Sequence, residues 1–365
     1  MFGRAKLAKA LLAASLASLA LTGVGFPQET APPPETRIVF QLSRGNFNEL
    51  FMVPVHLGTR VSIGKPDQLT STRGDEENHP VWSADGNRIA FARYAGGSRS
   101  WSIFVMNADG TGRRNLSRCP EGFYDEVPRW APDDEHIVFT RTSVEDDSTN
   151  IMVAKTDGSS VVHLVEGNDP SWSPDGSQIL YTDAQGHIAV TSSVSGAPTT
   201  TLTDGEASDF LPSLSPDGTK IFFTRRLSGA FEKGDVYVMN ADGSGIQRLT
   251  DTPERFEIAR AWSPDSSKIV YTSYRETSSK VLAIEADGTD PQRLGPRGPS
   301  DYPAWAPDGS GVALTHYSRD GSHIYFVPLD GSQVSVLATF REGELLDLQW
   351  AAVQPEPPSP SPTST

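Results

Sequence analysis

The stretch AWSPDSSKIVY, Ala261–Tyr271, decides the fold because variants of it recur along the chain. An aromatic residue ends one predicted strand, a Ser-Pro-Asp turn follows, and a β-branched strand comes next. The other copies are VWSADGNRIAF from Val81, RWAPDDEHIVF from Arg129, SWSPDGSQILY from Ser171, SLSPDGTKIFF from Ser213 and AWAPDGSGVAL from Ala304. The sequence therefore predicts a series of related antiparallel hairpins.

Each copy ends strand a of a four-strand unit at an anchoring residue, which returns at intervals of about 42 to 48 residues. The anchoring residues are Trp82, Trp130, Trp172, Leu214, Trp262, Trp305 and Trp350. Strand b follows the Ser-Pro-Asp turn, strand c leads into an Asp-Gly turn such as the one at Gly243, and strand d ends in Leu-Ser or Leu-Thr. This period and this strand order are typical of β-propeller blades.

The two ends of the repeat region are predicted to complete each other. Strand b occurs seven times, beginning near Ile38, and its first copy has no strand a before it. The last strand a, Leu345–Trp350, has no strand b after it. Pairing it with Ile38–Ser43 leaves no open sheet edge, so we expect an all-β, seven-bladed propeller of four-stranded antiparallel blades, closed by the C-terminal strand. A six-bladed ring is the alternative, because Val61–Leu69 is a degenerate strand d.

Composition divides the chain into four segments. Arg4, Lys6 and Lys9 precede an uncharged apolar run, Ala10–Val24, which has the length of a signal-peptide core rather than of a membrane span. We predict a signal peptide over 1–26, a proline-rich linker over 27–35, the propeller over 36–350 and a disordered Pro/Ser-rich tail over 351–365. The protein is therefore expected to be exported to the periplasm or the cell exterior, with no membrane span after cleavage. An uncleaved anchor is the alternative.

Charge and cysteine content exclude several classes of function. The net charge of −15 disfavours binding to nucleic acid or to an anionic membrane, because both depend on Lys and Arg contacts. The single cysteine, Cys119, cannot form an internal disulfide and is expected to be a small buried side chain. The sequence has no Gly-x-Ser-x-Gly elbow, phosphate-binding loop or dinucleotide fingerprint. We expect a monomer.

The repeat unit resembles a known family. The W-S-P-D-G hairpin, followed by strand c and an Asp-Gly turn, is similar to the TolB-type (WD-repeat-like) propeller repeat, and DVYVMNADGSGIQRLTD from Asp235 is the best copy. The resemblance covers the propeller part only, and it implies an exported interaction domain. The family's namesake carries an α/β domain where this sequence has a linker, so the resemblance does not imply membership of its cell-envelope complex.

The turns sort the loops onto two faces of the predicted ring. The a–b and c–d turns are short and repetitive and form what we call the turn face; the b–c loops and d–a connections form the loop face. Variable loops on a rigid scaffold usually carry function, so we predict a binding site on the loop face and at its channel mouth. The candidate binding residues are acids near the start of strand a and arginines at the end of strand b: Glu77, Asp125, Glu126, Asp169, Asp209, Glu257 and Asp301, with Arg93, Arg141 and Arg225.

These charged residues have two interpretations. In the first, they form a funnel whose negative potential binds a cation or a basic peptide segment. In the second, each acid caps a turn or pairs with a neighbouring arginine. Metal binding is a further hypothesis, because loops of the same face contain four histidines, although no two of them have the spacing of a local metal motif. These histidines are His79, His187, His316 and His323.

Two functions remain open. The first is an exported, non-catalytic binding or scaffold protein whose acidic loop face recognises a protein, a peptide or a glycan. It needs no catalytic residues and no cofactor, with Ca²⁺ on the acidic loops as an open alternative. The second is a metal-dependent polysaccharide lyase or hydrolase with its site in the channel, an architecture that some seven-bladed lyases share. An anionic polymer would meet an acidic rim with only Arg93, Arg141 and Arg225 to receive it, and this disfavours the enzyme.

Overall fold

Residues 35–353, apart from 46, 59–60, 72–73, 96–99, 227–232, 253 and 277, are described by a computed structural model. The predicted signal peptide, nearly all of the linker and the tail after 353 lie outside the described residues. Every helix or strand assigned within the described part is a strand, and no helix there has the length and apolarity to cross a membrane.

The strands fall into seven blades, numbered in chain order. Blade 1 contains β1 (Thr36–Arg44), β2 (Phe47–His56), β3 (Ser62–Ile63), β4 (Asp67–Gln68) and β29 (Glu344–Ala352). Blade 2 contains β5 (Glu76–Trp82), β6 (Arg88–Tyr94), β7 (Trp101–Asn107) and β8 (Arg114–Asn115). Blade 3 contains β9 (Phe123–Trp130), β10 (His136–Ser143), β11 (Thr149–Lys155) and β12 (Val161–Glu166). Blade 4 contains β13 (Asn168–Trp172), β14 (Gln178–Thr182), β15 (Ile188–Ser192) and β16 (Thr199–Thr201).

The remaining blades follow the same plan. Blade 5 contains β17 (Ser208–Leu214), β18 (Lys220–Arg226), β19 (Asp235–Asn240) and β20 (Gln247–Arg248). Blade 6 contains β21 (Phe256–Trp262), β22 (Lys268–Arg275), β23 (Ser278–Glu285) and β24 (Gln292–Leu294). Blade 7 contains β25 (Ser300–Trp305), β26 (Gly311–Ser318), β27 (Gly321–Pro328) and β28 (Ser335–Phe340). Successive strands in blades 2 to 7 are antiparallel neighbours.

The ring is closed by the C-terminal strand, as predicted. β29 pairs antiparallel with β1, with Thr36 opposite Ala352 and Ser43 opposite Glu344. The degenerate strand d of blade 1 consists of two short pieces, β3 and β4, which both pair with β2. The seven-bladed prediction is therefore confirmed, and the six-bladed alternative is wrong.

Strand b is apolar on both sides because each blade packs between two others. In β10, Ile137 and Phe139 pack toward blade 2, whereas Val138 packs toward blade 4. Seven clusters of buried side chains occupy the seven blade junctions, including the junction of blades 1 and 7. Alternate residues of strand b thus feed two different cores, which explains why the run is hydrophobic without a gap.

The anchoring tryptophans and the turns beside them hold the blades together. The indole Nε1 of Trp130 donates a hydrogen bond to the Val81 carbonyl of the preceding blade, at 3.2 Å. The same bond is made by Trp82, Trp172, Trp262 and Trp305. Within the turn, one carboxylate oxygen of Asp265 accepts from the Ser263 hydroxyl and the Ser267 amide, which lowers the pKa of Asp265. The repeated motif therefore has a structural role.

Candidate functional site

Strand a carries a β-bulge near its middle in every blade. In six blades the bulge contains a non-glycine residue with φ between 45° and 55°. These residues are His79, Val127, Asp169, Leu211, Tyr302 and Asp347. Such a backbone costs about 1–3 kcal/mol per residue, and it is typical of functional sites. Proline follows in five of the six, which fits a bulge because proline has no N–H to pair.

The bulges place these side chains in the central channel, where all seven strands a line a cavity of about 200 Å³. The cavity contains both signs of charge, from Arg129, Arg260, Asp169 and Asp347, and His79 Nε2 lies 4.0 Å from Asp347 Oδ2. Burial lowers the pKa of Arg129, although Asp169 and Asp347 oppose this effect. Burial also raises the pKa of Asp169. The channel is therefore polar and mixed in charge rather than uniformly acidic.

Two of the predicted acids lie within strand a as members of buried ion pairs. Asp125 accepts two hydrogen bonds from Arg141, at 2.6 and 2.8 Å. Asp209 accepts two from Arg225, at 2.6 and 2.7 Å. Both carboxylates are 0% exposed, and each charge is balanced within its own blade. This geometry agrees with the interpretation in which each acid pairs with a neighbouring arginine. A role of these residues in ligand binding stays a prediction.

The other candidates of blades 2 and 3 are also placed against neighbours. Glu77 is fully buried; it accepts from the Thr70 hydroxyl at 3.2 Å and lies 3.7 Å from Arg93 Nε. Arg93 forms a second ion pair, with Asp75. Glu126 is half-buried in β9, directly after Asp125. The arginines at the ends of these strands b therefore hold the acids of their own sheets.

Two further acids, in blades 6 and 7, are held mainly by hydroxyl groups. Glu257 accepts from the Ser273 hydroxyl at 2.9 Å, and its second oxygen is buried with no hydrogen-bond partner among the described residues. Asp301 accepts from Thr272 at 2.9 Å and lies 3.2 Å from the Arg260 guanidinium. Arg260 stands where five other blades have proline, and the repeat pattern did not identify it.

The four candidate histidines lie in three separate places. His79 lines the channel, and His187 lies in the b–c loop of blade 4 with Nε2 3.1 Å from the Gly205 carbonyl. His316 and His323 are neighbours in blade 7, with ring centroids 6.3 Å apart. Among the described residues, no group of three or more His, Cys, Asp or Glu is arranged to hold a metal ion.

Two potential nucleophiles are Cys119, which is half-buried rather than fully buried as expected, and Ser300. Burial, reinforced by Asp125, raises the pKa of Cys119 to about 12, so its thiol stays protonated at neutral pH. Ser300 Oγ lies 3.0 Å from His316 Nδ1, an arrangement that resembles a nucleophile with its base. Ser300 is 0% exposed, however, so this pair belongs to the core of blade 7.

A second cavity, of about 740 Å³, lies on the loop face beside blade 4, and we call it the blade-4 pocket. Its lining carboxylates are Asp147, Glu166, Asp169 and Asp183. Arg226 is the one lysine or arginine among its described lining residues. Phe210 and Phe256 form an aromatic wall, with ring centroids 6.1 Å apart and an interplanar angle of 23°. The pocket is therefore acidic on one side and aromatic on the other.

Of the pocket residues, only Asp169 was a candidate from the sequence. The sequence does mark blade 4 by a departure from the repeat: Gly167, next to the lining residue Asn168, stands where blades 3 and 5 have Asp125 and Asp209. Asp183 stands where those blades have an arginine. Asp183 accepts from the backbone amides of its own loop, and His187 Nδ1 is 3.8 Å from its carboxylate.

Comparison with known proteins identifies the repeat and the ring. A family model described as the TolB beta propeller domain matches residues 30–203 and again 169–345. TolB from Acinetobacter baumannii is similar in structure, with a TM-score of 0.52 and 18% identity over 86% of this chain and 82% of its own. An oligogalacturonate lyase in complex with manganese has a TM-score of 0.59 and 14% identity over 84% and 85%. Prolyl oligopeptidase B from Galerina marginata has a TM-score of 0.59 and 13% identity over 82% of this chain and 50% of its own.

No curated protein sequence matches the chain significantly. The three structural relatives include a TolB protein and two enzymes, and each has fewer than a fifth of its residues identical to this chain. At that level of identity the likeness extends to the fold alone. Function must therefore be argued from the site.

Proposed function

The chain belongs to the TolB beta-propeller family, and from this premise we propose that it is an exported, non-catalytic binding protein that receives a protein or peptide partner on its loop face. The observation that carries the proposal is the blade-4 pocket, where four lining carboxylates meet one lining arginine. A cleft dominated by one sign of charge focuses its potential and speeds association with oppositely charged partners.

The acidic potential of this face is attributed to carboxylates that are not paired with a lysine or an arginine of the described residues. Asp125 and Asp209 are balanced by arginines at hydrogen-bond distance and add little to the field outside. Among the described residues, Glu166 and Asp183 form no ion pair with a lysine or an arginine. The ring holds these groups on strand ends and short loops, so little conformational entropy is lost when a partner binds.

Export is part of the proposal because of the N-terminal composition. The basic residues Arg4, Lys6 and Lys9 and the apolar run Ala10–Val24 have the pattern of a signal peptide. Recovery of the mature protein outside the cytoplasm, starting after the apolar run, would test this. Recovery in the cytoplasm with Met1 intact would contradict it.

Capture of partners by two matched triple variants tests the binding face. Asp147→Asn/Glu166→Gln/Asp183→Asn removes three charges beside the pocket, and Asp109→Asn/Asp242→Asn/Asp287→Asn removes three from turn-face loops. We expect the wild-type protein and the turn-face variant to capture the same identified protein from the exported fraction. The loop-face variant should bind that purified protein at least about tenfold more weakly. Equal affinity of all three proteins would contradict the proposal.

The metal-dependent enzyme has no supporting observation among the described residues, since no three potential ligands converge there. Metal analysis of the purified protein still separates the two functions. Stoichiometric metal that is lost on replacing His79, His187 or His316 would favour the enzyme and contradict a purely binding role. Capture of an acidic glycan instead of a protein would contradict the proposed class of partner.

A further inference from the structure

Blade 4 lacks an ion pair that its two neighbours possess. In blades 3 and 5 the register places Asp125 opposite Arg141 and Asp209 opposite Arg225. In blade 4, Asn168 lies opposite Thr182, so the preceding residue, Gly167, takes the place of the acid. A Cβ at Gly167 would lie 2.5 Å from the Thr182 carbonyl oxygen, and its φ of 147° is unfavourable for other residues. No acid can occupy this position, and no arginine of the blade extends over it.

Two buried side-chain oxygens in the blade-4 pocket have no hydrogen-bond donor among the described residues. Thr182 is 4% exposed and lines the blade-4 pocket, yet its Oγ1 has no hydrogen-bond partner among the described residues. The same is true of Asn168 Oδ1, in the same pocket. Asp183 and Glu166 add carboxylates on the rim. Buried acceptors without donors cost free energy, so this set is complementary to a ligand that carries N–H groups and a positive charge.

We propose, on the basis of the proposed function, that the blade-4 pocket binds the guanidinium group of an arginine side chain supplied by the partner. In the neighbouring blades an arginine contacts a carboxylate and an aromatic ring at the same time, and the blade-4 pocket offers these two kinds of contact. Arg225 contacts a carboxylate and lies 5.3 Å from the centroid of the Phe223 ring, and Arg141 does the same over Phe139 at 5.9 Å. The blade-4 pocket supplies carboxylates, unpaired acceptors and the Phe210/Phe256 wall, but it has no cation in the corresponding place.

The remaining charges around the pocket limit what can enter. Arg226 already lies 6.0 Å from the centroid of the Phe210 ring, so Phe256 is the ring left for an incoming group. A guanidinium has five N–H donors in a planar fork and matches several acceptors at once, whereas an ammonium is a point charge with a tightly held hydration shell. The cavity of about 740 Å³ is larger than one side chain and leaves room for the flanking peptide.

Three blocked tripeptides test the proposal directly: acetyl-Gly-Arg-Gly-amide, its citrulline analogue and its lysine analogue. Citrulline has nearly the shape of arginine but no charge. Titrations followed by NMR chemical shifts should show the arginine peptide binding at least about tenfold more tightly than the citrulline peptide, with lysine between them. The affinity for the arginine peptide should fall as ionic strength rises.

Two matched variants test whether the preference for the arginine peptide arises in the blade-4 pocket. Asp169→Asn/Asp183→Asn should lose the preference for arginine over citrulline, whereas Asp287→Asn/Asp330→Asn, with the same change of charge on the turn face, should keep it. The single variant Asp183→Asn is the control for misfolding of the double variant, because an asparagine oxygen can still accept hydrogen bonds from the loop amides. Equal affinity for the arginine and citrulline peptides overturns the inference, even where partner capture still depends on the loop face. Partner capture that is unaffected by the loop-face substitutions would overturn the proposed function itself.

Discussion

Asp169 lies where the central channel meets the blade-4 pocket, because it lines both cavities. Its φ of 51° places it in a bulge, and its carboxylate accepts a long hydrogen bond of 3.4 Å from the Leu211 amide. Burial raises the pKa of this carboxyl, and Arg129 offsets only part of the effect. A site that holds an acid under these conditions sacrifices stability, as binding sites commonly do.

Replacing Asp169 should therefore stabilise the protein at neutral pH. A raised folded-state pKa means that the folded protein holds this proton more tightly than the unfolded chain. The carboxyl thus favours folding at low pH, and its contribution is lost as the pH rises through the folded pKa. We expect Asp169→Asn to unfold at a higher denaturant concentration than the wild type near about pH 7, with the difference vanishing below about pH 4.

Asp242 is the control for this prediction, because its Ser244 hydrogen bonds lower its pKa. Its contribution to stability is present at neutral pH and is lost as the pH falls, so Asp242→Asn should be less stable than the wild type near about pH 7. If the stability of Asp169→Asn changed with pH in the same way as that of the wild type, burial would not raise the pKa of Asp169.

At the scale of the elements, the bulge in strand a decides which side chains reach the channel. A bulge adds one residue to one strand, so the residues on either side of it face differently from the pattern of simple alternation. The acids of strand a consequently fall into two groups according to their position relative to the bulge. Asp125 and Asp209 lie before the bulge and pair with strand b, whereas Asp169 and Asp347 lie in the bulge and line the channel.

The buried pair of strands a and b in blade 5 should be sensitive to loss of one partner. Arg225→Met leaves the fully buried Asp209 without its two hydrogen bonds, so we expect a loss of about 3–5 kcal/mol in the free energy of unfolding. Asp209→Leu/Arg225→Met should recover most of this loss. Urea unfolding measures both variants.

An exposed pair is the matched control for this prediction. Arg275 and Glu254 lie 3.1 Å apart with more than half of each side chain exposed, at 54% and 69%. Arg275→Met should therefore change the free energy of unfolding by less than about 1 kcal/mol. Similar losses for Arg225→Met and Arg275→Met would contradict the structural role given to the buried pair.

For the whole molecule, closure through β29 makes stability a property of the ring. β29 supplies the inner strand of blade 1 and two buried residues, Leu345 and Leu348, to the junction with blade 7. Without β29, β1 would become an open edge next to the channel. We therefore expect β29 to contribute strongly to the stability of the propeller, although it is the last strand of the chain.

Removing Glu344–Ala352 should destabilise the entire propeller. We expect a loss of more than about 4 kcal/mol, because two buried leucines and a whole strand pairing disappear together. Thermal unfolding of this variant is compared with that of a chain ending at 353, which retains β29. An unchanged midpoint after the strand is removed would contradict closure by β29.

The repeat could be predicted because its causes are local. The Ser-Pro-Asp turn, the anchoring tryptophan and the strand b run lie within eleven residues in Ala261–Tyr271, and turn chemistry and hydrophobic pattern act at that range. The blade count and the closing strand follow from counting these units. By contrast, the sequence gives no direct sign that Arg129 and Arg260 line the channel, since bulges shift the alternation of strand a.

By itself, the sequence determined the class of fold, the number of blades, the two faces and the closing strand, because each follows from short motifs repeated at a regular period. Only the tertiary structure decided which acids are neutralised and which remain available. That outcome depends on the register between strands a and b and on the packing of adjacent blades, which brings Asp147 and Phe256 to one pocket from distant parts of the chain. Gly167 and Asp183 each differ from the repeat by one residue. Their consequence, a blade that lacks the ion pair of its neighbours beside an acidic pocket, is visible only when the neighbouring blades are in place.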